Sequence, residues 1–286
     1  MAKEFNAKLG PLVVNLEWRL TLFALILIPL MTKLGFWQLE RAEEKRVLAS
    51  RHAAQTALPA LTLDELLMQI APVTPRELSD ESADVVQERA RPADMASMAD
   101  RSVSFTGQFS ADRYLLLDNR IQNGRFGYEV IALVSSQDVL VPVNLGWLAG
   151  DPARRTLPTV RLAAGEQQRV AGRIFIPQGA AYLLEAQTAP TTFPTVIQDY
   201  PAVEMAPALA ALTSQPVMPF LVHIDPASPL AESAVWVLMN QSPEKHTGYA
   251  VQWFTMAAVL LLAFLLRSSN LYALLRPKTS PNDKLI

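Results

Sequence analysis

The run YAVQWFTMAAVLLLAFLL, Tyr249 to Leu266, decides what kind of protein this is. Its one strongly polar member, Gln252, sits near one end, with Lys245 and His246 before the run and Arg267 after it. A core helix of a soluble domain would carry a polar stripe over such a length. None follows Thr255, so the run reads as a membrane span. A second run, WRLTLFALILIPLMTKLGFWQL from Trp18 to Leu39, is bracketed by Arg19 and Arg41 at close to the ~20 helical residues that a hydrocarbon core requires. Lys33 is near enough to one end to snorkel, and Pro29 is tolerated inside a bilayer helix. A cleaved signal peptide needs a shorter apolar core followed by small residues. Here Lys33, Leu34, Gly35, Phe36 and Trp37 follow, so the run reads as an uncleaved anchor.

These two runs explain a composition that is 50% hydrophobic and only 18% charged over 286 residues, against about 25% charged in ordinary soluble domains. A net charge of -2 provides no general basic field, so no nucleic acid partner is expected. There are no cysteines, which removes disulfides, thiolate zinc sites, iron–sulfur clusters and any CxxC redox or copper-carrier chemistry. The three histidines, His52, His223 and His246, are too scattered for a His-rich metal centre. GxGxxG, GxxxxGK[ST], GxSxG and HExxH are all missing, so no catalytic constellation is anchored and the chain is expected not to be an enzyme.

Two spans put both termini on one side. Arg267, Arg276, Lys278 and Lys284 follow the second span against Lys245 just before it, which places the C-terminus in the cytoplasm. The charges around the first span lean weakly the other way, but long segments translocate largely regardless of charge. The expected order is a cytoplasmic N-terminus (1–17), a transmembrane helix (18–39), a helical extension with a mobile acidic, Pro-containing connection (40–100), an extracytoplasmic β domain (101–245), a second transmembrane helix (246–267) and a cytoplasmic tail (268–286).

Between the spans, LERAEEKRVLASR extends the first helix into solvent, and LTLDELLMQI reads helical. From Ala71 to Asp100, Pro72, Pro75 and Pro92 lie among Asp, Glu and Ser, as in an extended or mobile connection. From Arg101 the pattern turns to short apolar runs: RSVSFTGQF, YLLLDNR, YEVIALV, VLVPVNLGWL, QQRVAGRIFIP, TVIQDY, FLVHID and AVWVLMN. Asn123-Gly124 is a hairpin signal, and turn residues recur every ten or so positions. The expectation is a mainly antiparallel β domain of roughly seven strands, barrel- or sandwich-like, with one short helix near VEMAPALAALT.

Chemistry-bearing residues gather where the spans meet the outer face. Leu34, Trp37, Gln38 and Arg41 share one helical face at i, i+3, i+4 and i+7, and His246, Tyr249 and Trp253 share another at i, i+3 and i+7. Indoles and a phenol at this depth are also what an interfacial belt supplies. An imidazole at the membrane boundary is in addition a natural axial ligand for haem iron.

At these clusters the sequence resembles the surfeit locus protein 1 family, the assembly factors of haem–copper cytochrome c oxidase. LGFWQLERAEEK (Leu34 to Lys45) and HTGYAVQWF (His246 to Phe254) carry the resemblance, with RSVSFTGQF, GRFGYEV and VPVNLGW between them in order. The resemblance implies two membrane helices, both termini on the cytoplasmic or matrix side, and a mainly β domain outside. In a bacterial cell this means the inner membrane and a periplasmic domain. It also implies a respiratory-chain chaperone that works in the lipid bilayer with cytochrome c oxidase subunit I and other oxidase assembly factors. Haem a is the implied, transient cofactor. His246 stands where the family places a histidine before its YAxxWF motif, as an iron ligand. On the two clustered helix faces, Trp37, Arg41, Tyr249 and Trp253 are expected to complete a pocket around the haem, with Arg41 or Arg46 pairing a propionate. A cofactor-free membrane scaffold for nascent oxidase subunits is the alternative. Where the family commonly has Arg before Gly-Trp, this chain has Leu145, and no role is carried onto it.

Overall fold

The computed structural model describes residues 4–75, 95–162, 164–176, 188–236 and 241–275. In chain order, strands β1 (Glu4–Leu9) and β2 (Leu12–Glu17) lead into helix α1 (Trp18–Ala57). Helix α2 (Leu63–Gln69) precedes strands β3 (Ser102–Gln122), β4 (Arg125–Ser136), β5 (Val139–Ala149), β6 (Gln167–Phe175) and β7 (Thr195–Ile197). Helix α3 (Ala202–Thr213), strand β8 (Leu221–Ile224) and helices α4 (Pro243–Ser268) and α5 (Leu271–Leu275) complete the chain. Contacts divide it into two units, Met1–Ser50 with Leu238–Ile286, and Arg51–Val237.

The first unit holds the apolar helices. The most apolar 18-residue windows of α1 and α4 have mean hydropathies of 1.8 and 2.0, and only 11% of each is buried within the protein, unlike the core helix of a soluble domain. Both helices are therefore long and apolar enough to cross a bilayer. At 40 residues, α1 reaches about 60 Å, roughly twice a hydrocarbon core. Its later turns carry i,i+3 ion pairs, Arg41–Glu44 at 2.6 Å and Arg46–Glu43 at 3.2 Å, as befits a water-exposed extension. Helix α4 starts with Pro243 in its first turn, where a missing N–H is harmless.

Residues 1–17 were expected only as a cytoplasmic N-terminus; within them β1 and β2 form an antiparallel hairpin around Gly10-Pro11, with Leu9 opposite Leu12 and Glu4 opposite Glu17. Asn270, just past α4, clamps it. Its Oδ1 accepts from Val13 N at 2.8 Å, its Nδ2 donates to Pro11 O at 2.9 Å, and its backbone N donates to Val13 O at 3.0 Å. Asn270→Ala removes both side-chain bonds, each worth about 1 kcal/mol. Amide exchange at Val13 is expected to accelerate roughly ten-fold or more; unchanged exchange would show that the hairpin holds without the clamp.

The second unit is a closed sheet. β3 pairs antiparallel with β4 along one edge and with β6 along the other, and β4–β5, β5–β8 and β8–β6 complete a ring. β7 adds to β3 beyond β6. Inside the ring, Val103, Phe105, Leu116, Val130, Ala132, Val134, Val141, Val143, Val170, Val222 and Ile224 form one core, closed by Leu63, Leu66 and Ile70 from the α2 region. Ile131 and Leu133 point the other way, into a second core with Met205, Ala206 and Leu209 of α3. This double coverage is why YEVIALV reads as a continuous apolar run rather than an alternating one.

Several expectations need correction. RSVSFTGQF and YLLLDNR belong to one 21-residue strand, β3, with a register shift between Phe109 and Tyr114. Among the described residues the domain has six strands, β3 to β8, and four of its six pairings are antiparallel, in line with the mainly antiparallel expectation, while two, β5–β8 and β3–β7, are parallel. The described part of AVWVLMN, residues 234–236, is not a strand; its neighbour Ser233 makes a single bridge to Trp147. The remainder lies outside the described residues. Residues 76–94 of the 71–100 connection also lie outside them, but Val73 is buried and bridges Val217, and Met95–Met98 makes a 3-10 turn. The Asn123-Gly124 hairpin forms as expected, with φ of 50° and 72° at its turn. Leu145 is a buried core residue at a β-bulge, where an arginine would have to bury its charge.

Candidate functional site

Within the first unit, α1 and α4 pack through small residues. A Cβ on Gly35 would lie 2.6 Å from the Phe254 ring, so only glycine lets that ring seat on the α1 backbone. Phe36 meets the same ring edge-on at 5.2 Å. Ala42 and Ala250 are fully buried, and Ala24 and Ala257, nearer the other ends, are buried as well. Close approach through small side chains is the usual way in which lipid-embedded helices associate.

That approach brings polar groups together at the start of α4. His246 Nδ1 lies 2.8 Å from Gln38 Oε1, and Arg46 Nη2 donates to Thr247 Oγ1 at 3.1 Å. Gln38 falls at i+3 from Gly35 and Ala42 at i+7, so the packed face of α1 carries it inward. His246 is half-buried, and its Nε2 has no hydrogen-bond partner among the described residues.

The other expected pocket residues are placed individually. Trp37 and Tyr249 are 47% and 45% exposed, so their rings are free for lipid or a flat apolar ligand. Trp253 is half-buried on α4. Arg41 and Arg46 both pair a glutamate on their own helix, Glu44 and Glu43, and Arg46 is the one that also reaches α4. Gln38 and Thr247 are the contacts that a sequence reading undervalues. The signal that finds Gln38 is the pair of small residues flanking it on one face.

The remaining histidines lie in the second unit. His52 Nε2 is 2.8 Å from Arg173 Nη1, and its Nδ1 is 3.2 Å from Asp100 Oδ1, so both nitrogens face partners. His223 is stacked between Phe175 and Trp236, at 4.1 and 4.0 Å between ring centroids, with Trp236 Nε1 donating to Ile224 O. Neither can take a metal without breaking packed structure. No group of three or more His, Asp or Glu side chains could hold a metal ion among the described residues. Any metal held at the helix pair must therefore bring most of its own ligands, as haem iron does with its four pyrrole nitrogens.

The family model described as the SURF1 family matches residues 25–258, from inside α1 to inside α4. A SURF1-like protein of Rickettsia felis is 20% identical over 265 residues, which cover 87% of this chain and 96% of that protein.

Proposed function

The chain belongs to the SURF1 family, which is linked to cytochrome c oxidase assembly, and from that premise we propose that it holds haem a in transit to oxidase subunit I. One observation supports the haem reading: the half-buried His246 keeps a ring nitrogen open while both other histidines are committed to the β domain. The residues present fit such a group. His246 would provide the axial nitrogen, Trp37, Tyr249 and Trp253 the flat apolar surface, and Arg46 the cation for a propionate, which a guanidinium pairs well. Arg41 and Arg46 each pair a glutamate one turn away, Glu44 and Glu43, and Arg46 is the one whose guanidinium also reaches Thr247 beside His246. Haem a is the oxidase's redox cofactor, and here it is cargo. One protein-derived ligand with few polar contacts suits a carrier, because release then breaks few bonds. The proposed setting is the bacterial inner membrane, with both termini cytoplasmic, the β domain periplasmic, and subunit I and other assembly factors as partners.

The test is the absorption spectrum of the full-length protein purified from cells that make haem a. Wild type is expected to carry haem a, and His246→Ala to retain at most about a tenth of it. Equal haem in the variant would remove His246 as ligand. A colourless wild type that still co-isolates subunit I would replace this reading with the cofactor-free scaffold.

A further inference from the structure

The contact between His246 and Gln38 carries chemical information beyond proximity. A neutral imidazole has one N–H and one lone pair, and the hydrogen bond made by one nitrogen sets the role of the other. A carboxamide oxygen only accepts. With Gln38 Oε1 facing it at 2.8 Å, a neutral His246 is expected to carry its proton on Nδ1, which leaves the lone pair on Nε2. The amide itself is held by the packing around it. Gly35, one turn before Gln38, receives the Phe254 ring, and Ala42, one turn after, is fully buried. The residue next to His246 is gripped separately, since Thr247 accepts from Arg46.

We propose that Gln38 is a positioning residue that locks His246 in its Nδ1–H tautomer and presents the Nε2 lone pair for a metal, a role that rests on the haem reading above. Ligating histidines commonly donate their second nitrogen to an oxygen acceptor, which orients the ring and raises its basicity, and loss of that acceptor costs about 10–100-fold in metal affinity. Most such acceptors are carboxylates or backbone carbonyls. A neutral carboxamide gives the same orientation with a weaker push of electron density, which suits a ligand that must later let go. The alternative is plain helix–helix adhesion, since interhelical side-chain bonds occur in membranes without any ligand role.

Two measurements separate these readings. In the haem-free, full-length protein in lipid vesicles, nitrogen-15 NMR of labelled histidine reports the tautomer, with His246→Ala identifying the signals. Wild type is expected to show protonated Nδ1 and bare Nε2. Gln38→Leu should return the ring to a mixture containing Nε2–H, and Gln38→Glu should keep Nδ1–H. In the haem-a-loaded protein, Gln38→Leu is expected to release haem about ten-fold faster and to raise its midpoint potential, while Gln38→Glu lowers that potential. Adhesion alone predicts no opposite shifts. A wild-type ring protonated at Nε2, or potentials that move the same way or not at all in the two variants, would overturn the proposal. A protein with the expected tautomer that takes up no haem would uphold Gln38's hold on the ring and defeat the haem reading alone.

Discussion

Gly127→Val is expected to cost the β domain about 3 kcal/mol or more, lowering its melting midpoint by roughly 6–12 °C in a unit of this size. Gly127 lies on β4 beneath Trp147 of β5, and a Cβ there would overlap both the indole ring and the Leu148 carbonyl oxygen. Neither can give way easily. The carbonyl is ladder backbone, and the indole is held by its Nε1, which donates to Arg120 O at 3.0 Å. Phe126 and Tyr128, on either side of Gly127, are themselves packed edge-to-face at 5.2 Å, with the Arg154 guanidinium 4.3 Å from the Phe126 ring. The matched control is Gly124→Ala in the hairpin turn. There a Cβ meets nothing within 4 Å, and the φ of +72° alone costs about 1 kcal/mol. Thermal unfolding of the full chain in detergent, followed by near-ultraviolet circular dichroism, checks both. A Gly127→Val midpoint within about 2 °C of wild type would mean that the indole has room to move.

The second large effect is acid sensitivity centred on His223. Burial above all, then the nearby Arg173 and Arg120 guanidinium groups, pushes its imidazole down to about 3. Arg173 is its cross-strand neighbour on β6, and Asn144 is its neighbour on β5. Folded protein thus keeps His223 neutral over a range in which the unfolded chain, titrating near 6.5, takes up a proton. The unfolded state binds more protons, so stability falls as the pH drops below about 6.5 and is fully retained above it. At pH 5 the loss amounts to about 2 kcal/mol from this one group. His223→Phe keeps a ring between Phe175 and Trp236 and removes the titration. Denaturant unfolding at pH 7.5 and pH 5 should show a smaller acid loss in the variant by about that amount. Equal losses in the two proteins would mean that the imidazole does not carry the acid sensitivity.

What could be read without coordinates was whatever short-range pattern encodes. Unbroken apolar runs announced α1 and α4, Asn123-Gly124 announced its hairpin, and the mixed charges of LERAEEKRVLASR announced a helix continuing past Leu39. Ring closure was not readable, because it depends on one long β3 that pairs β6 over Ser102–Gln108 and β4 from Gln108 onward, across a register shift after Phe109 whose residues look like a break. The parallel β5–β8 pairing joins residues about eighty apart across a helix, beyond any local signal. The hairpin around Gly10-Pro11 was not anticipated, and its strands become evident only through the Asn270 clamp, from the far end of the chain. At the helix pair, chemistry-bearing side chains were recognisable by type, whereas their partners were not. Arg41 and Arg46 look equivalent in sequence, yet it is Arg46 that reaches across to Thr247, and Gln38 matters because glycine and alanine bring its face inward.

A sheet that closes on itself also limits how others can grip it. Five strands meet a neighbour on each side, isolated bridges from Val217 and Ser233 cover more of β5, and β7, the added sixth, is three residues long. Recruitment by strand addition needs a row of unspent amides and carbonyls, and among the described residues no strand of the ring is left with a whole edge unpaired. A protein that docked on those paired strands would be recognised through side chains and loops, a mode in which a handful of surface substitutions retunes selectivity while the hydrogen-bonded frame stays the same.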